Sequence, residues 1–251
     1  MTDSDRSRRA LSFETAADQY DAARPGYPPA LFDAVEELSG RPLTGARTVD
    51  VGAGTGIATR LLRERGARVT AVEPGAAMAD RFRRSLPGVP LVRGVGDALP
   101  LADASADFLT YAQSFHWTDP ARSLPEALRV LRPGGALALW WNVADRDVPW
   151  IAAQEERLRR DFGGAAHGAP GAARALPDGV PCAEHRLYWT RRVPLDTHLA
   201  NLGSHSLFLV AGKAAARAFL DRERAGLLRL FPDGSVEEAY AVDLTVTRRP
   251  A

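Results

Sequence analysis

Through the first half of the chain, short runs of β-branched and aliphatic residues alternate with longer segments whose apolar positions recur every three to four residues. These are the periods of strands and of amphipathic helices. Arg47-Thr48-Val49-Asp50-Val51 is a strand-forming run, and Ile57 to Arg65 follows it with helical spacing. The alternation repeats: Arg68 to Glu73 predicts a strand, Gly75 to Leu86 a helix, Pro90 to Arg93 a strand and Ala106 to Ala112 another. After a turn at Thr118-Asp119-Pro120, a helix over Ala121 to Leu131 is stopped by Pro133-Gly134-Gly135, and the unbroken apolar run Ala136 to Trp141 predicts a buried strand. Strands alternating with helices imply an α/β fold, a parallel sheet with helices on both faces.

The flanks read differently. Phe13 to Tyr20 predicts a short helix, Arg24-Pro25-Gly26-Tyr27-Pro28-Pro29 interrupts it, and a second helix runs from about Ala30 to Leu38. Beyond Trp150 a helix extends to Phe162, and a Gly/Ala/Pro-rich stretch from Gly163 to Gly179 predicts a loop. Glu184 to Val193 and Glu237 to Arg248 predict two strands of an antiparallel hairpin, interrupted by helical residues from about Asp196 to Leu230. No internal repeat is present. A single domain over 1–251 is expected, divided into an N-terminal helical segment 1–45, an alternating core 46–142, a variable segment 143–235 and a last strand 237–248.

Composition narrows the function classes. At 251 residues, 45% hydrophobic and 25% charged, the chain has ordinary globular usage. A net charge of +1 leaves no excess for neutralising phosphates, so nucleic acid is not an expected partner; the short basic run Arg6 to Arg9 reads as a solvated tail. No apolar run is long enough to cross a bilayer, and Met1 to Ala10 is too polar for a signal peptide, so no membrane association is expected. Cys182 is the only cysteine, which excludes an intrachain disulfide and fits a reducing, cytoplasmic setting. Lys213, the only lysine, stands in the first turn of a predicted helix and does not suggest Schiff-base chemistry. No metal is expected: the five histidines show no i, i+4 pair, and the two carboxylates of Asp145-Arg146-Asp147 enclose a countercharge.

The chemistry concentrates in Val49-Asp50-Val51-Gly52-Ala53-Gly54-Thr55-Gly56, where an acidic residue precedes three glycines at alternate positions. Glycines here let the chain turn sharply and let a ligand approach the backbone, as nucleoside cofactors do at the carboxyl edge of a parallel sheet. Glu73 ends the next strand, placed to accept two hydrogen bonds from ribose hydroxyls, and Asp97 in Gly96-Asp97-Ala98 follows the third, placed to accept from an adenine amine. Asp50 has two readings, direct contact with the cofactor or support of the glycine loop. Where a dinucleotide fingerprint wants its third glycine the chain has Ile57, and a Walker A loop is excluded because Lys213 is far away.

On Val49 to Gly56, Glu73, Gly96-Asp97-Ala98, Gln113-Ser114 and Leu131-Arg132-Pro133-Gly134-Gly135, the sequence resembles the class I S-adenosylmethionine-dependent methyltransferases, over Phe13 to Asn142 and more loosely beyond. Ser114-Phe115-His116-Trp117, with Tyr20 and Arg24, is most similar to a small-molecule subgroup like the trans-aconitate methyltransferases. The resemblance implies a Rossmann-like seven-stranded sheet, mostly parallel with an antiparallel last strand, and S-adenosylmethionine as cofactor. Gly52, Gly54 and Gly56 would face its methionine part, Glu73 its ribose, and Asp97 with Ala98 its adenine; Gln113 and Ser114 would complete the site. Tyr20 and Arg24 would close a lid (1–45) over it, with Arg24 available to the cofactor carboxylate.

The implied activity is methyl transfer to a small-molecule acceptor by in-line displacement. Oxygen acceptors, hydroxyl or carboxylate, rank first; N- or C-methylation, a nucleotide-linked oxidoreductase, and a cofactor-binding protein without transferase activity are the alternatives. A carboxylate acceptor needs no base, whereas a phenol, alcohol or amine must lose a proton, for which His116 is the candidate. Its alternative is a packed histidine beside Trp117. His198 and His205 read as a solvated helix face, and of Arg191 and Arg192 strand alternation turns one inward. Trp150, Tyr188, Trp189, Phe208 and Phe219 are candidates for an acceptor pocket or for core. The oligomeric state is not readable.

Overall fold

The apolar run ending in two tryptophans forms an interior strand of the sheet. In strand β5 (Leu131–Ala144), Ala136, Ala138 and Trp140 pack on one face and Leu137, Leu139 and Trp141 on the other, all buried. An unbroken apolar run does this when both faces of a strand are covered. The structure, a computed structural model, describes residues 23–163, 176–205, 207–208 and 212–250. The predicted helix Phe13 to Tyr20, and with it the candidate Tyr20, lies outside the described residues, as does most of the Gly163 to Gly179 stretch.

The sheet formed by the described residues contains β1 (Arg47–Val51), β2 (Arg68–Val72), β3 (Leu91–Val92), β4 (Ala106–Ala112), β5, β6 (Ala183–Pro194) and β7 (Ser235–Arg248), in the order β3-β2-β1-β4-β5-β7-β6. β1 is parallel to β2 and β4, β2 to β3 and β4 to β5, while β7 runs antiparallel to both of its neighbours. Only the last strand therefore runs against the rest, as expected of a Rossmann-like methyltransferase sheet. The helices are α1 (Pro29–Ser39), α2 (Ile57–Glu64), α3 (Ala76–Ser85), α4 (Pro120–Val130), α5 (Pro149–Phe162), α6 (Leu195–Gly203) and α7 (Lys213–Leu230). Leu31, Phe32 and Val35 of α1 and Leu62 of α2 pack with Trp140 and Val242 on one face; Leu124, Ala127 and Val130 of α4 pack with Leu109, Leu137 and Leu139 on the other.

One boundary and one expectation of exposure depart from the sequence reading. β5 begins at Leu131, immediately after α4, instead of at Ala136. Pro133-Gly134-Gly135 does not interrupt it: Gly134 takes φ 71°, the β4–β5 register shifts between Ala106 and Phe108, and the strand crosses the irregularity. Among the described residues the insertion between β6 and β7 holds helices α6 and α7, and its histidines are not on a solvated face. His198 and His205 are both buried, which corrects that expectation; α6 turns His198 toward the sheet, where it meets Glu238 of β7.

Strand order fixes where a ligand belongs. From β1 the chain moves outward through β2 and β3, then returns to β4 on the other side, so β1 and β4 flank the switch point of the sheet. Crevices at such points, beyond the carboxyl ends of the strands, hold the ligands of open α/β sheets. The loop Gly52–Gly56 leaves β1 there, and Gln113-Ser114 leaves β4 there.

Candidate active site

The glycine loop is built by backbone conformation and by close packing. Gly52, Gly54 and Gly56 all have positive φ (70°, 57° and 95°), a region in which side chains are strained. Two of the three are also sterically enforced. A Cβ on Gly52 would stand 2.5 Å from Ser114 Cβ, and one on Gly56 would stand 2.5 Å from Leu86 Cδ1 and 3.0 Å from Phe82. Gly54 differs, since a Cβ there would meet nothing within 4 Å. Its open side leaves room for a ligand to approach the backbone. Ser114 closes the switch point by donating from Oγ to the Val51 carbonyl at 2.5 Å.

Beneath the loop lies Asp50, wholly buried. Its carboxylate accepts from Thr59 Oγ1 at 2.6 Å and from Thr110 Oγ1 at 3.1 Å, joining the first turns of α2 to β1 and β4. Burial pushes its pKa up to about 6, against the hydrogen bonds from Thr59 and Thr110 that lower it. This placement supports the loop-anchoring reading over direct cofactor contact. Glu73 stands above the same loop. Its Oε2 accepts from the Gly54 N–H at 2.9 Å and its Oε1 from the Gly75 N–H at 2.8 Å. Burial raises its pKa, against those two amide bonds and Arg93. Each oxygen keeps a second lone pair for a ligand hydroxyl.

Farther along the edge, Asp97 Oδ1 accepts from the Asp119 N–H at 3.0 Å, and the Ala98 N–H bonds the Val95 carbonyl at 3.2 Å. The hydroxyl of Tyr111 lies beside Gly96, 3.1 Å from where a Cβ on that glycine would stand. It is buried and, among the described residues, makes no hydrogen bond. Carboxylate oxygens with spare lone pairs at Glu73, an open backbone at Gly54 and an unpaired buried hydroxyl next to Asp97 fit a nucleoside cofactor.

The chain before α1 crosses this edge. Gln113 Nε2 donates to Tyr27 Oη at 3.3 Å, Asn142 Nδ2 to the Gly26 carbonyl at 3.2 Å, and an Arg191 N–H to the Ala23 carbonyl at 2.8 Å. Residues 23–27 are thus pinned to the carboxyl ends of β4, β5 and β6, while Arg24 Nε donates to Ser204 Oγ at 3.1 Å. His116 lies in the short 3-10 turn Phe115–Trp117 after β4; its Nδ1 accepts from the Trp141 indole N–H at 3.3 Å.

The comparisons with known proteins agree with this geometry. Residues 49–139 match the methyltransferase domain family. An uncharacterized methyltransferase of Mycobacterium tuberculosis is 37% identical over 222 residues, covering 87% of this chain and 87% of that protein. The chain belongs to the class I S-adenosylmethionine-dependent methyltransferases. A protein of Anaeromyxobacter dehalogenans described as a type II methyltransferase has the same fold, with TM-score 0.71 and 29% identity over 90% of this chain and 98% of that one. A malonyl-[acyl-carrier protein] O-methyltransferase of Serratia marcescens is 36% identical over 132 residues, 51% of this chain and 50% of that one.

In this methyltransferase, Gly52, Gly54, Gly56, Glu73, Asp97, Ala98, Gln113 and Ser114 all stand along one stretch of the carboxyl edge, with Asp50 below it. Arg24 is drawn toward the β6–β7 insertion by Ser204. Sequence reading missed Thr59 and Thr110, whose hydroxyls receive Asp50, and Asn142 and Tyr27, which hold the crossing segment. Thr59 falls three residues after Gly56 on the first turn of α2, a position from which a hydroxyl reaches back under the loop. Thr110 and Asn142 carried no such signal, because their roles follow from strand pairing.

Proposed function

We propose that this methyltransferase acts on a small-molecule oxygen nucleophile, and among oxygen nucleophiles on a carboxylate, methylating it to an ester. S-adenosylmethionine supplies an electrophilic methyl carbon on a positively charged sulfonium. Gly54 gives the methionine part room against the backbone, Glu73 takes the ribose hydroxyls, and Asp97, Ala98 and Tyr111 face the adenine. Residues 23–27 roof the edge and keep water out, which strengthens the alignment of nucleophile, carbon and sulfur.

The observation that carries the acceptor class is the hydrogen bond from Trp141 to His116. An indole N–H only donates, so Nδ1 of a neutral His116 is the acceptor and Nε2 bears the proton. In that tautomer the ring offers the pocket a donor, not a base. A phenol, alcohol or ammonium would need a base, whereas a carboxylate is already anionic at neutral pH. The carboxylate reading accordingly asks no base of His116. The resemblance to trans-aconitate methyltransferases and the likeness to an O-methyltransferase that acts on a malonyl group both support an acid acceptor.

Two experiments test this. Calorimetric titration of S-adenosylmethionine should give saturable binding that Glu73→Ala weakens by about 1 to 3 kcal/mol, the range for buried polar partners left unpaired. Turnover should then be measured across carboxylic acids, phenols and amines. Methyl ester formation, with His116→Gln keeping at least about a tenth of the rate, is expected. A loss of about 100-fold or more in that variant, the scale of a missing general base, on a phenol or amine substrate would overturn the carboxylate reading.

A further inference from the structure

Strand β6 is the open edge of the sheet. It pairs with β7 through twelve consecutive positions, Ala183 to Pro194, without a register shift, and no strand lies on its other side among the described residues. At about 3.3 Å per residue it presents roughly 40 Å of unpaired N–H and C=O groups. Natural edges are usually short, bulged or interrupted by proline, because an unbroken edge is a template for pairing. Here the only proline in the strand, Pro194, is its last residue.

The side chains on the outward face are also exposed: Glu184, Arg186, Tyr188, Thr190 and Arg192. Tyr188, at 60% exposure, is the most open of the large apolar and aromatic side chains among the described residues, and it stands midway between Glu184 and Arg192. That symmetry matters for self-pairing. Antiparallel pairing of two copies about a two-fold axis places residue i opposite residue j with i + j constant. With Tyr188 on the axis, Glu184 faces Arg192 of the other copy, and by symmetry this pair forms twice. Arg186 then faces Thr190. Moving the axis to Trp189 would set Arg186 against Arg192, and moving it to Arg186 would set that arginine against itself. Charge therefore selects one register and penalises those that put arginine against arginine.

We propose that β6 pairs with β6 of a second copy of this chain in that register, extending the sheet into a two-fold symmetric dimer. The bridges from Arg192 to Asp233 (3.0 Å) and from Arg186 to Asp243 (3.4 Å) are between exposed groups and yield at little cost. Because β6 is parallel to β1, β4 and β5, the partner's carboxyl edge faces the opposite way, and the two cofactor sites stand on opposite sides of the joint sheet. Dimerisation is accordingly separable from cofactor binding.

Sedimentation velocity of the full chain tests the proposal. The wild type is expected to sediment as a dimer at tens of micromolar. Glu184→Arg and Arg192→Glu each place like charges opposite one another twice, and each should weaken dimerisation by at least about tenfold. The double reversal restores the opposite-charge pairs and should recover dimerisation. In a Cys182→Ser background, Tyr188→Cys should form a disulfide-linked dimer on mild oxidation, whereas wild-type Cys182, which faces Pro194 across the axis, should not. A monomeric wild type, or a dimer indifferent to both single reversals and not cross-linked through position 188, would overturn it; equal S-adenosylmethionine binding across the charge variants would show that they fold.

Discussion

A carboxylic acid with no access to water is either neutral or heavily hydrogen-bonded, and Asp50 sits between these states with its pKa pushed up to about 6 by burial. The sign of the linkage follows. The folded state binds the Asp50 proton more tightly than the unfolded chain does, so the contribution to stability is fully present below the ordinary value of 3.8 and is lost as pH rises toward 6. A shift of two pKa units corresponds to about 3 kcal/mol. Urea denaturation between pH 4 and 7 should show the wild type losing stability relative to Asp50→Asn over that window; parallel curves would mean that the buried acid ionises freely in the fold. The sequence placed Asp50 beside the glycine loop but did not decide its role. That decision depends on two threonine hydroxyls, one of which arrives on a strand sixty residues away.

At the scale of the element, the glycine turn separates two demands that the sequence presents as one. Gly56 is glycine for the fold, because Leu86 and Phe82 of the α3 region occupy the space of a side chain; Gly54 faces open space. Gly56→Ala should destabilise the protein by about 2 to 4 kcal/mol, combining left-handed strain with overpacking, while cofactor affinity in the remaining folded fraction changes less. Gly54→Ala should cost only about 1 to 2 kcal/mol of stability but weaken S-adenosylmethionine binding at least about tenfold. Thermal melts combined with calorimetry check both, and a Gly54→Ala protein that binds like wild type would remove that glycine from the cofactor site. The strands and helices around this turn were legible because each is a local periodicity. The start of β5 was not, since Pro133-Gly134-Gly135 is equally a stop signal and a bulge until the pairing with β4 is known. His198 was misjudged for a related reason: helical spacing gives a face, but the neighbour that buries it comes from a strand forty residues away.

For the whole molecule, the insertion between β6 and β7 is held to the sheet by a continuous buried polar network as well as by apolar packing. Arg157 of α5 grips Glu223 of α7 through bonds of 2.5 and 2.9 Å, Gln154 donates to Glu223 at 3.0 Å and lies 3.2 Å from His198, and His198 of α6 meets Glu238 of β7 at 2.7 Å. Glu238 also accepts from Arg191 of β6 at 2.5 Å and from Tyr240 Oη at 2.8 Å, and Arg191 continues to the Ala23 carbonyl of the segment that crosses the active edge. One chain of bonds thereby connects three helices, two strands and the segment 23–27 proposed to roof the cofactor site. Burial alone would raise the Glu238 pKa, but His198 and Arg191 outweigh it and hold the acid down to about 2. With the folded value depressed, the stabilisation is present above the ordinary carboxylate value of 4.5 and is lost as pH falls toward 2. Glu238→Gln leaves Arg191 and His198 facing a neutral amide in a buried site, a change expected to cost about 3 to 5 kcal/mol at neutral pH. Much of that difference should disappear on acidification through this window. Because the network ends on Ala23, hydrogen exchange should also show residues 23–27 losing protection in the variant at pH 7. Unchanged protection there, in a variant that is destabilised, would mean that the insertion and the roof are built on the same sheet but are not coupled through Arg191.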